Sequence, residues 1–261
     1  MCLILFAWQA RRRTPLLIAA NRDEFYSRPT APAAFWADAP GILAGRDLQG
    51  GGTWLGITRR GRFAAVTNYR DPASVRASAP SRGGLVRDYL RGRRSPLSYL
   101  NSIAPGAGRY NGFSLLVGDP PALWYFSNRG GLIRPEPGIH GISNHLLDTP
   151  WPKVEKGKRA LAELLKKGGE PSAEELFALL GDHDPAPDDA LLPDTGIGRE
   201  RERALSPLFV QTEGYGTRSS TVLMIGSGGE VTFVERVFQE GVPWMTAQFQ
   251  FQIEAPRRRK G

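Results

Sequence analysis

An α+β fold dominated by antiparallel sheet is what this sequence predicts, on three observations. Strand-like segments come first, helical segments occupy the middle, and strands return at the end. "CLILFAW" and "LLIAAN" are apolar on both alternating faces, the pattern of strands covered on both sides. "WPKVEKGKRALAELLKKG" instead repeats its apolar residues at helical spacing, with Pro152 in its first turn, lysines near its end and glycine after it.

In chain order, "QARRRTP" is a charged turn that folds the first two strands into a hairpin. A turn centred near Arg12 and Arg13 pairs residues whose numbers sum to about 25. Cys2 then faces Asp23, with Arg22 and Asn21 inside a slip of ~2 residues. "TWLGI" and "RFAAVTN" follow as strands joined by the tight "TRRGR" turn, and "RGGLVRDYL" begins a helix after glycines. "FSLLVG" and "ALWYFS" are strands. After the "WPKV" helix, "SAEELFALLG" is a short helix with a serine cap. "DHDPAPDDALLPDTGIG" is too rich in proline and aspartate for regular structure and is expected as a surface loop. "TRSSTVLMIG" and "VTFVERVF", separated by "SGGE", make a closing hairpin. No repeat or linker interrupts the chain, so one domain is expected over 1–256, with a disordered basic tail over 257–261.

At 261 residues, 41% hydrophobic and 23% charged, the chain has ordinary globular composition. Its one cysteine excludes an internal disulfide. The net charge of +8 leans on the tail, where "RRRK" supplies four of the 34 positive residues. Basic residues are not interleaved with aromatics, so no nucleic-acid partner is expected. "LILFAW" is too short for a signal-peptide core, and no apolar stretch approaches the ~18 residues of a membrane span. A cytoplasmic protein is expected.

That single cysteine sits directly behind Met1. Removal of Met1 would leave Cys2 with a free α-amine, whose reference pKa of about 7.7–8 lets it accept a proton near neutrality. An α-amine serving as base for the thiol beside it is one solution to activating a nucleophile. Arg22 would favour the thiolate and Asp23 would orient the ammonium. A tetrahedral intermediate also needs oxyanion donors, and Asn68 and Asn144, each closing a strand-like segment, are candidates. Trp54, Tyr69 and Trp151 flank these motifs and are candidates for an apolar, substrate-binding wall. Bland alternatives stand beside each. Cys2 is also a small buried apolar residue, "NRDE" also a strand exit with a structural ion pair, and strand-end asparagines also satisfy turns. Glu24 is left outside the site. His140 and His145 in "IHGISNH" lack the third ligand and spacing of a metal site, so no metal is expected; an axial haem ligand stays open. Gly50 to Gly52 lack the strand–glycine–helix context of a nucleotide loop.

"NRDE" after a Cys2 strand, "GGTWLGI", "AAVTNYRDP", "NGFSLLVGD", "GISNHLLDTPWPKV" and "YGTRSSTVLMI" occur in order, from Cys2 to about Arg236. Together they resemble the NRDE, or transport-and-Golgi-organisation, family. The resemblance implies an N-terminal-nucleophile hydrolase-like fold, a four-layer αββα sandwich with two stacked antiparallel sheets. A more distant similarity to choloylglycine hydrolases and penicillin V acylases implies Cys2, Arg22, Asp23, Asn68, Asn144 and Arg218 as catalytic positions. Those acylases separate the arginine and aspartate by two residues, whereas here they are adjacent, so either Arg22 or Asn21 holds the equivalent place. The implied activity is hydrolysis of a C–N amide bond. The family's implication in haem movement and in lipid or acyl-CoA metabolism leaves a carrier of a hydrophobic anion as the alternative, with haem as a carried ligand and no resident cofactor.

Overall fold

A computed structural model describes residues 2–255 of the chain. Met1 and the basic tail expected at 257–261 lie outside the described residues. The chain opens with β1 (Cys2–Trp8), β2 (Leu16–Phe25), β3 (Thr30–Trp36), β4 (Ala39–Asp47), β5 (Leu55–Thr58) and β6 (Phe63–Asn68). Helices α1 (Gly83–Arg91) and α2 (Pro96–Ile103) precede β7 (Phe113–Asp119), β8 (Ala122–Ser127), β9 (Gly131–Ile133) and β10 (Gly138–Ile142). Helices α3 (Pro152–Lys166), α4 (Ala173–Leu180) and α5 (Arg199–Ala204) lead into β11 (Gln211–Thr212), β12 (Tyr215–Ile225), β13 (Glu230–Gln239) and β14 (Val242–Gln252).

These strands form two seven-stranded sheets in which every pairing is antiparallel. One sheet is contiguous in sequence, β3 through β9. The other joins the two ends of the chain in the order β10-β1-β2-β12-β13-β14, with β11 beside β12. Alternation along β1 explains the stacking. Ile4, Phe6 and Trp8 enter a core shared with Leu43, Ile57 and Leu116 of the opposite sheet. Leu3, Leu5 and Ala7 point the other way, into a core built with Val154 and Leu161 of α3 and Leu176 and Leu180 of α4. A third core packs α1 and α2 on the far face of the second sheet. The layers are therefore helix, sheet, sheet, helix, as the α+β sandwich expectation requires. Strands apolar on both faces have a covered layer on each side.

The expected turn is present, but its register pairs Cys2 with Arg22 rather than Asp23. β2 also runs on through Phe25, so "NRDE" lies within a strand instead of at its exit. The closing hairpin gains a third strand, β14, along β13. No helix among the described residues is long and apolar enough to cross a membrane.

Candidate functional site

Residues directly opposite in an antiparallel pair leave the same face of the sheet. Cys2 and Arg22 are such a pair, and both line a cleft of about 830 Å³ between the sheets. Asp23, Asn68, Trp54 and Arg218 also line it, so six of the ten expected site residues meet at one opening. Six arginines border this cleft (Arg22, Arg28, Arg46, Arg76, Arg82 and Arg218) against four carboxylates, Asp23, Glu24, Asp47 and Glu235. Glu24 belongs to the cleft after all, its Oε2 standing 3.7 Å from both Arg22 and Arg28.

Each side chain is held by its strand. Arg218 sits at the point where the β2–β12 register shifts, between Thr217 and Ser219. Its Nη1 donates to the carbonyls of Phe25, Tyr26 and Arg28 at 2.9, 3.0 and 3.1 Å. Arg218 thus pins the turn after β2 while keeping its charge at the cleft wall. Asn68 ends β6, and its carbonyl accepts from Asn144 Nδ2 at 3.1 Å. Asn144 is fully buried with φ at 55°. Its own carbonyl accepts from the Arg70 amide at 2.7 Å. Asn68 therefore faces the cleft, whereas Asn144 fixes the strand end that carries it.

Three expected binding residues lie elsewhere. Asn21, the neighbour of Arg22, alternates to the helix face and is fully buried. Its Nδ2 donates to the carbonyls of Leu180 and Leu208, each at 2.9 Å, and its Oδ1 accepts from Ser220 Oγ at 2.6 Å. It ties sheet to helix layer and does not line the cleft, whereas Arg22 does. Tyr69 and Trp151 both pack against His145, with ring centroids 4.5 and 5.6 Å away, instead of lining the cleft. Both nitrogens of His145 are engaged, by Tyr69 Oη at 2.6 Å and Thr149 Oγ1 at 2.8 Å. His140 is likewise held by Asp148 at 2.6 Å and the Glu136 carbonyl at 2.8 Å. No histidine lines the cleft among the described residues.

Beneath Cys2, on the helix face, lies a buried polar cluster that sequence reasoning missed. Asp23 is 1% exposed, and its Oδ1 accepts from Thr217 Oγ1 at 2.8 Å. Around it stand Lys153 from the first turn of α3, Arg70 and Tyr215. Arg70 is paired with Glu202 of α5, which also accepts from the Thr195 amide at 3.0 Å. Arg70 and Lys153 lay inside motifs already noticed, "TNYRDP" and "TPWPKV"; Glu202, in "RERER", had no signal, because a charge run ordinarily marks a solvated face. Arg82, just before α1, also reaches the cleft, near enough to Cys2 and Glu24 to feel both charges.

Burial pushes the Cys2 thiol up, and the Asp23 charge adds to this; Arg22 and the backbone amide of Asp23 act in the opposite direction. Burial likewise raises the Asp23 carboxyl, opposed first by Lys153. Desolvation brings Lys153 down to about 8. The arrangement gathers a thiol, a carboxylate and an amine near the end of the β1–β2 ribbon, each with its ionisation shifted by burial and by its neighbours. Among the described residues no cluster of histidine, cysteine and acidic side chains suits a metal ion.

The family model described as Transport and Golgi organisation 2 matches residues 1–240. The Transport and Golgi organization protein 2 homolog of Bos taurus is 38% identical over 98% of this chain and 100% of its own length. The Homo sapiens homolog is 36% identical with the same coverage, and the Drosophila melanogaster protein 31% identical over 90% of this chain and 91% of its own. Among solved structures, a Caenorhabditis elegans N-acylethanolamine-hydrolyzing acid amidase ortholog is 10% identical with a TM-score of 0.48, covering 85% of this chain and 92% of that one. The C2A mutant of a conjugated bile acid hydrolase from Clostridium perfringens is 11% identical with a TM-score of 0.42, covering 97% and 92%. Those superpositions are too loose to transfer residue roles. On the sequence relationship, this chain belongs to the Transport and Golgi organisation 2 family.

Proposed function

We propose that, once Met1 is removed, the protein is an N-terminal cysteine amidohydrolase whose substrate carries an anionic, partly hydrophobic group. The observation that carries this reading is the β1–β2 register, which sets Cys2 across from Arg22 at the wall of an arginine-bordered cleft. In the mechanism, the α-amine of Cys2 takes the thiol proton and the sulfur attacks the carbonyl carbon of a C–N amide. The Asn68 amide donates to the resulting oxyanion, a contribution worth about 3 kcal/mol for one donor. Collapse of the intermediate expels the amine, which leaves with the proton from the α-ammonium. Water, deprotonated by the same amine, then splits the thioester and releases the acid and the thiol. Arg22, Arg82 and Arg218 meet the substrate's anionic group, and Asp23 orients the α-ammonium.

The expected result for Cys2→Ala is complete loss of turnover against a library of acyl amides, with binding of anionic amphiphiles retained. Equal turnover by the wild type and Cys2→Ala would overturn the reading. The six arginines at the cleft support a second reading, a carrier of a hydrophobic anion such as haem or an acyl thioester of a nucleotide. In that case Arg22→Met and Arg218→Met weaken binding while Cys2→Ala changes nothing.

A further inference from the structure

Lys153 is 3% exposed, and its Nζ is buried with no hydrogen-bond partner among the described residues. An ammonium buried without a hydrogen-bond partner is costly unless opposite charge stands near it. Its place is fixed by α3: Lys153, Val154, Gly157 and Leu161 form the buried face of the helix, which rests on β1. Gly157 makes that approach close, since a Cβ there would stand 2.7 Å from Leu5 Cδ1. The first turn of α3 therefore delivers Lys153 under the end of the β1–β2 ribbon, on the side opposite the cleft. Four titratable or charged groups act on it. Cys2 comes from β1, Asp23 from β2, Arg70 from the segment after β6 and Glu202 from α5. Of these, Asp23 is the strongest influence on Lys153, and Lys153 is the strongest counterweight to the burial of Asp23.

We propose that Lys153 is a positioning residue of the Cys2 centre: from the helix side of the sheet it keeps Asp23 ionised, so that the carboxylate can orient the α-amine of Cys2. It touches neither substrate nor sulfur. The proposal rests on the amidohydrolase reading for its consequence in turnover, but the electrostatic coupling stands or falls on its own. Because coupling between two titrating groups is reciprocal, removing either charge must shift the other group.

The test is site-resolved carbon NMR titration of the full chain with Asp and Lys side chains labelled. Asp23 is assigned by Asp23→Asn and Lys153 by Lys153→Met. Lys153→Met is expected to shift the Asp23 carboxyl titration to higher pH, and Asp23→Asn to shift Lys153 to lower pH. Should Lys153→Met fail to fold, the nearly isosteric Asp23→Asn alone decides the matter from the Lys153 signal. Unchanged titration of the partner in the folded variants overturns the proposal. In turnover, Lys153→Met moves the acid limb of kcat/KM to higher pH, whereas in an Asp23→Asn background the same substitution adds no further shift. Coupling seen by NMR in a protein without amidase activity would retain the pair and remove the amidohydrolase reading. Activity with an unmoved acid limb would do the reverse.

Discussion

Two side-chain charges and a dry environment compete for the Cys2 thiol, and each charge can be removed singly. Burial raises it, the Asp23 carboxylate raises it further, and the Arg22 guanidinium lowers it. Alkylation by iodoacetamide reports the thiolate, so the wild type is expected to react more slowly at neutral pH than an exposed cysteine, and faster as pH rises. Arg22→Met should slow labelling again and Asp23→Asn should speed it; equal rates across the three would remove the electrostatic picture. Asn21 has a different part although it is the sequence neighbour of Arg22. With three buried hydrogen bonds and no place at the cleft, Asn21→Ala leaves two carbonyls and a hydroxyl unsatisfied. A loss on the order of 3 kcal/mol in urea unfolding is expected. Folded Asn21→Ala protein should keep wild-type labelling at Cys2.

At the level of elements, the first ribbon was legible because its two strands are apolar on both faces and one charged turn joins them, which leaves the register a slip of ~2 residues. The actual pairing used that freedom, moving Cys2 from Asp23 to Arg22. β3 and β4 were not legible, because "TAPAAFW" and "APGILAGRD" are rich in alanine, proline and glycine, residues poor in strand signal. β14 did carry a signal, the alternation "AQFQFQ", in which Phe249 and Phe251 turn toward the core between the sheets. Lys153 was hidden by its chemistry: one lysine among several on α3 reads as solvated, and only packing shows that it points inward. The start of α1 is set by another close contact. A Cβ at Gly52 would fall 2.4 Å from the backbone carbon of Gly83. Gly52→Ala is therefore expected to push α1 outward at a cost of about 1–3 kcal/mol. Arg82 would be displaced from the cleft with it, weakening binding of anionic amphiphiles; unchanged stability and binding would show that the contact yields freely.

For the whole molecule, the buried cluster leaves a mark on pH dependence. Lys153 gives up its proton near 8 when folded and near 10.5 when unfolded. Between those values the unfolded chain binds more protons, so this residue makes stability rise with pH across that window, by ~3 kcal/mol in total. Below the folded value its contribution is flat. Urea midpoints of the wild type and Lys153→Met, compared from about pH 7 to about pH 9.5, should diverge, with the steeper upward slope in the wild type. Parallel curves would mean that Lys153 titrates as an ordinary surface lysine. The chain's two ends meet in one sheet, with β1 and β12 both flanking β2, so the state of the first residues bears on the entire site. Mass spectrometry of the intact purified protein measures that state most directly. A mass short of one methionine, with Cys2 exposing its α-amine, is the predicted result. A population that keeps Met1 throughout would block the base beside the nucleophile and contradict the amidohydrolase reading.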